Sequence, residues 1–290
     1  MGVCSALCLL AFSTSALAKD QASPQGFIVP QAGFFVGLGA SYNWAGVDQD
    51  LKGIGISDIF IRSRLVASGN AGGPQADFDR SADAFALDAQ AGYFRRFTDS
   101  PWLGGVKFAY NHLDLTSSEK ETIPQTGSFT LAFGRHTTIP FTGHVAIPSS
   151  RVSIDDEMAL MPFIGRAIGN SYFYVGGGPA LFRTVTKFAG GIGFADINGT
   201  ELDVTGTPIS FSSSDWVWGG AGQVGMNYFL SRSWALDLNY TFAMSAHYKI
   251  KYAGEFTSSN GPLTTVGTAY FNDSQQVTTQ AFSVSINRVF

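Results

Sequence analysis

The chain has 290 residues, a formal net charge of −4, 14% charged residues and an equal 14% of aromatic ones. Soluble domains usually carry about 25% charged residues, so this chain is poor in charge and rich in rings. A net negative chain without a basic face argues against nucleic acid as a partner. Mean hydropathy is only +0.10, and no window after residue 18 approaches the ~20 consecutive apolar residues of a membrane helix.

Val3 to Leu17 is uncharged and largely apolar, and Ala16-Leu17-Ala18 has the small-x-small form of a signal-peptidase site. Residues 1–18 therefore read as a cleaved signal peptide, residues 19–31 as a short periplasmic segment, and residues 32–290 as a single domain. No Lys or Arg precedes the apolar core, so the usual cationic start of a signal peptide is missing. Both cysteines, Cys4 and Cys8, fall inside the leader, which leaves the mature chain without disulfide or thiolate chemistry.

The first predicted strand alternates Phe34, Val36, Leu38, Ala40, Tyr42 and Trp44 with Phe35, Gly37, Gly39, Ser41 and Asn43. A period of two sends successive side chains to opposite faces, so one face wants an apolar phase and the other does not. The second alternates Phe85, Leu87, Ala89, Ala91 and Tyr93 with Asp88, Gln90 and Gly92. After the turn Thr98-Asp99-Ser100-Pro101, a third alternates Val106, Phe108 and Tyr110 with Gly105, Lys107 and Asn111. A fourth from about Ile154 to Ile168 and a fifth from Tyr172 to about Lys187 flank Gly169-Asn170-Ser171, but their apolar runs are too continuous for faces to be assigned.

The sixth sets Trp216, Trp218, Val224, Met226 and Tyr228 against Gly219, Ala221, Gln223, Gly225 and Asn227. Across Ser231-Arg232-Ser233, the seventh sets Trp234, Leu236, Leu238, Tyr240, Phe242 and Met244 against Asp237, Asn239 and Thr241. The last sets Phe282, Val284, Ile286 and the terminal Phe290 against Ser283, Ser285 and Asn287. Three tight turns alternate with four long polar connections: Gly46 to Asp83, Thr116 to Val152, Ala189 to Ser214, and Lys249 to Ser274. Ser128 to Phe133 and Thr137 to Ile147 carry enough strand character to make a ten-stranded count the alternative.

These features predict an all-β fold, a transmembrane antiparallel up-and-down β-barrel of eight strands with short periplasmic turns and long extracellular loops. Eight strands enclose a lumen that side chains nearly fill, and inward Asp88, Gln90, Lys107, Asn111, Gln223, Asn227, Asp237 and Asn239 would form its polar network. Trp44, Tyr110, Trp216 and Trp218 would girdle the loop side, and Trp102, Tyr228, Trp234 and Phe290 the turn side.

On these residues the chain resembles the small outer-membrane β-barrel proteins of Gram-negative bacteria, a group that includes the OmpA-type transmembrane barrel, the opacity-protein adhesins and the porin-family surface proteins. The resemblance implies a location in the cell outer membrane, among outer-membrane lipid and lipopolysaccharide. It also implies that Phe282, Val284, Ile286 and Phe290 form the signal read by the barrel-assembly machinery. Arg288 departs from the pattern, standing where an aromatic or apolar residue is commoner.

Other motifs carry little chemistry. Gly220-Ala221-Gly222-Gln223-Val224-Gly225 matches a dinucleotide fingerprint in letters but lies in a strand with no helix after it. Asp48-Gln49-Asp50-Leu51-Lys52-Gly53 begins like a calcium loop, yet Lys52 takes a ligand position and Ile59 stands where a bidentate Glu belongs. Asp155-Asp156-Glu157 is an acidic cluster, but the Asp-x-His of omptin proteases is absent. No histidine has a Ser two residues on, as the barrel lipid A deacylases require. The expectation is a non-enzymatic protein without cofactor or metal. It would act structurally and through its loops on host or other extracellular surfaces, with a narrow porin-like or OmpW-like passive channel for small solutes as the alternative and a barrel-borne enzyme as a minor one.

Overall fold

The computed structural model describes residues 29–290 except Gln75, residues 134–136 and Asn198; the leader and most of the segment before Ala32 lie outside the described residues. Eleven strands follow in chain order: β1 (Ala32–Ile61), β2 (Arg64–Gly72), β3 (Ala76–Arg96), β4 (Trp102–Leu131), β5 (Thr138–Ile168), β6 (Ser171–Ile197), β7 (Thr200–Asp203), β8 (Ile209–Ser231), β9 (Trp234–Ser245), β10 (Tyr248–Asn260) and β11 (Leu263–Val289). All ladders between them are antiparallel.

These strands make eight staves. β2 and β3 both pair with β1 on one side and with β4 on the other, so they are one stave broken around residue 74. β9 and β10 likewise both pair with β11 and form one stave broken at Ala246 and His247. β7 is a short arm folded onto the end of β6. β1 closes the ring against β11 from Phe35↔Val289 to Ile61↔Leu263, which brings the start of β1 and the end of β11 to the same rim.

The four long connections differ from open loops. Each is drawn almost wholly into strand, so that β4 and β5 run 30 and 31 residues and the apical turns shrink to a few residues. Ser128 to Leu131 and Thr138 to Ile147 do pair, as the upper ends of β4 and β5 and not as two further strands. Between Ile61 and Arg64 the apex is two residues, Arg62 and Ser63, both at positive φ as a primed hairpin turn requires. Regular pairing wins over loop because backbone groups must be satisfied somewhere and the neighbouring ladders already present a template.

Outside, an apolar belt runs around the ring. On β1 it extends from Phe34 to Trp44 and stops at Gly46, Asp48 and Asp50. Ten residues at about 3.4 Å each, tilted near 40°, give about 26 Å, the height of the apolar band of a bilayer-spanning barrel. Leu38, Phe85, Leu87 and Trp218 are 66–81% exposed within it, a surface that lipid covers at no cost and water does not. Trp44, Trp216 and Trp218 lie at its upper edge and Trp102, Tyr228, Trp234 and Phe290 at its lower edge, all exposed. Above it β1 continues from Ala45 to Ile61, so the tip stands roughly 40 Å clear of the belt.

This placement makes two substitutions of one chemistry differ. Leu38→Arg, mid-belt, is expected to cost about 2–4 kcal/mol in urea unfolding from lipid vesicles. Ile56→Arg, equally outward but above the belt, is expected to change stability by less than about 0.5 kcal/mol.

Candidate functional site

The lumen is filled in layers. At the turn-side rim the rings of Phe94, Tyr172 and Phe229 meet at centroid separations of 5.7 to 6.2 Å, with Leu103, Phe35 and Val289 packed around them. The sequence left the faces of β5 and β6 unassigned because these plugging residues are apolar inside a barrel that is also apolar outside. Phe163 and Met161 point in, whereas Leu160, Pro162 and Ile164 point out.

Above the plug lies the polar network. All eight residues singled out in the sequence, Asp88, Gln90, Lys107, Asn111, Gln223, Asn227, Asp237 and Asn239, are buried in the lumen. The Lys107 ammonium donates to Asp237 Oδ2 at 3.1 Å and to the Tyr174 hydroxyl at 2.8 Å, and Tyr174 donates in turn to Asp237 Oδ1. Gln90 bridges Asp237 and Asn287, while Ser285 donates to Asp88 Oδ2. Gln223 donates to Asn239 and Thr241. The sequence omitted Tyr174, Asn287 and Ser285. The last two sat on the inward phase of an alternation already recognised, whereas Tyr174 lay in the unassigned fifth strand.

Inward glycines leave no path through this network. A Cβ at Gly37 would collide with Asn287, and one at Gly39 with Asp88 and Ser285. The missing side chains are room for their neighbours' polar ends. Beside the network and just above it the voids are about 10 Å³ each, no more than one water requires. Leu113, Leu115, Val152, Ile154, Phe182 and Val277 then form a second apolar layer.

A second polar level sits above the belt. Arg80 pairs with Glu121 and donates to Ser150 at 3.0 Å through its other amine, and it is 3% exposed. Gln49 and Gln275 both donate to Asp273, at 2.9 and 2.6 Å, and Tyr248 donates to Gln275. Burial pushes the Asp273 carboxyl up to about 6, only partly offset by the bonds from Gln49 and Gln275 and by Arg80. Leu51, Ile123, Ile147, Phe188 and Phe271 close this level from above.

Over that layer the tip encloses a cavity of about 80 Å³, open at one side and almost wholly apolar, lined among others by Ile54, Phe129, Phe141, Phe194, Ile209 and Phe256. The sequence pointed to these segments only as polar loops. Inward apolar residues spaced two apart within Gly-rich and Ser-rich runs were the signal available.

On the outside, the acidic cluster is divided by the pleat. Glu157 points in and accepts from Thr279 at 2.6 Å. Asp156 points out at the upper belt edge, where Tyr110 and the His112 ring nitrogen reach it at 2.7 and 2.9 Å and Arg183 pairs with it at 3.5 Å. Among the described residues no group of three His, Cys, Asp or Glu is placed to hold a metal. Phe282, Val284, Ile286 and Phe290 are exposed along the outer face of β11, and the Arg288 guanidinium lies 5.1 Å over the Trp234 ring and 5.8 Å over Phe290. A stacked, membrane-rim arginine thus occupies the position where a ring is commoner.

No protein-family model matches the chain, and no curated protein does. Solved structures do resemble it loosely. The attachment invasion locus protein Ail of Yersinia pestis is 12% identical over 80% of this chain and 98% of its own, at a TM-score of 0.23. Neisserial surface protein A is 12% identical over 85% and 97%, at 0.28. The outer membrane protease OmpT of Escherichia coli is 9% identical over 86% and 97%, at 0.23. At such scores the superpositions decide nothing about this chain. The closed ring and its apolar belt do: the protein is a transmembrane β-barrel.

Lys107→Met leaves Asp237 buried without its cation and is expected to destabilise the barrel by about 3–5 kcal/mol. Lys107→Met combined with Asp237→Asn is expected to recover most of that in the same unfolding titration. For Asp273, the folded state holds its proton more tightly than the unfolded chain, so stability falls as pH rises from about 4 through 6 and is regained on acidification. Protection of the amides around β10 and β11 from exchange, relative to the intrinsic rate at each pH, is expected to fall over that interval, and Asp273→Asn to abolish the dependence.

Proposed function

We propose that this protein serves the cell outer membrane as a closed structural barrel whose working part is its stranded tip, acting on extracellular surfaces without enzymatic chemistry. The observation carrying this reading is the stacking of filled layers along the lumen. The aromatic plug, the Lys107–Asp237 network and two further apolar layers leave the tip as the accessible portion. A structure that extends about half of most staves above the membrane presents a surface for recognition.

The same reading assigns partners by chemistry. Arg151 and Lys187 are paired across β5 and β6, exposed and above the belt, with Arg183 at its edge. They are placed for lipopolysaccharide phosphates, each contact being charge-assisted. Arg80 is not available for this role, because it points inside and pairs with Glu121. The outward residues Phe282, Val284, Ile286 and Phe290 are offered to the barrel-assembly machinery on the last stave.

Planar-bilayer recording of the folded protein tests the closed lumen. A silent barrel with a heat-modifiable gel band is expected. Reproducible, ion-selective conductance steps would replace this reading by the channel.

A further inference from the structure

The tip cavity has three properties that together describe an occupant. Its wall is apolar. Its volume of about 80 Å³ is roughly half the ~150 Å³ that accepts benzene, so it takes the first few carbons of a chain and not a ring, the rest of the chain leaving by the open side. Gln125 lines it with a side chain that is 6% exposed and an amide nitrogen that has no hydrogen-bond partner. A buried donor left without a partner is destabilising, and an acceptor entering the cavity relieves it.

We propose that this cavity binds the unbranched alkyl chain of a soluble amphiphile bearing an uncharged oxygen, such as a fatty alcohol or ester, with Gln125 donating to that oxygen. The oxygen is uncharged because the donor facing it is an amide, the titratable residue of the wall, His144, is stacked on Phe194 with ring centroids 5.1 Å apart, and an ion in an apolar wall is heavily penalised. Gly55 makes the room: a Cβ there would meet nothing within 4 Å.

Entry is provided at one seam. β8 pairs with β9 only up to Gly219↔Ser245, and no ladder joins the upper part of β8 to β10 among the described residues. Side chains bridge the seam at this height, with Phe211 stacked on Tyr252 at 3.6 Å, and an isolated backbone bridge, Gly206↔Thr257, crosses to β10 above it. Ile209 on one bank and Phe256 on the other both line the cavity. The seam opens at the belt's upper edge beside Trp218, but its banks at Ile209 and Phe256 stand roughly 20 Å higher, so bilayer chains do not reach the cavity and the ligand arrives from the medium.

The inference rests on the tip being the working end, but binding is measured separately from conductance. The full chain would be folded into phospholipid nanodiscs, because detergents carry competing alkyl chains, and titrated with decan-1-ol by calorimetry against empty nanodiscs. Native protein, Gly55→Trp and Gln125→Leu would be compared after each shows the heat-modifiable band. Saturable one-site binding by native protein is expected, lost in Gly55→Trp and weakened about tenfold in Gln125→Leu. Heat equal to empty nanodiscs for native protein, or native affinity in Gly55→Trp, overturns the site. Native affinity in Gln125→Leu overturns the assigned hydrogen bond. A conducting barrel would leave each of these results unchanged.

Discussion

Everything in this molecule follows from the need to give every backbone N–H and C=O a partner inside hydrocarbon. Each unmade bond there costs several kcal/mol, so a sheet in lipid cannot have an edge. The pairing of β1 with β11 removes the two edges at once, and it runs the full length of both strands. Closure in the membrane also fixes the neighbours above it. Staves already in register at Trp44↔Gln280 continue naturally to Ile61↔Leu263, and the polar connections are recruited into ladders.

Closure with eight staves leaves a lumen too narrow for bulk water and too wide to be empty. The chain meets this with opposed sizes. Glycine on one strand faces a long polar or aromatic side chain from the next, as Gly39 faces Asp88 and Ser285, and Gly225 faces Tyr174. The buried charges are tolerable because Lys107, Asp237 and Tyr174 satisfy one another, in surroundings where removal of any one strands the rest. Rings at the lower rim then seal this level from the turn side.

Much of this was legible in the amino-acid order. Alternation with period two is a direct record of lipid on one face, which is why Phe34 to Trp44 and Trp234 to Met244 could be oriented residue by residue. Legibility failed where both faces are apolar, as from Met158 to Phe163, since a plug and a lipid face write the same letters. It failed again above the membrane. There, water wets the outer face, the inner face holds only scattered rings such as Phe129, Phe188 and Phe271, and glycine and serine fill the rest, so strand looks like loop. The divided roles of Asp156 and Glu157 were also hidden. Bulges at His112/Leu115 and Ile154/Asp156 change the register beside them, and a single sequence does not announce a bulge.

Drawing the outer connections into ladders has a bearing on how such a surface can change over time. An inserted or deleted residue in an open loop is absorbed locally, whereas in a paired stave it would swap the inward and outward faces of everything beyond it. Length variation is therefore confined to the four apices, among them Arg62-Ser63 and the turn between Asn260 and Leu263. Elsewhere the exterior can diversify only by exchange of outward side chains at alternate positions. Antibodies or phage that engage the flanks of this tip would meet a surface whose chemistry drifts while its backbone outline stays constant.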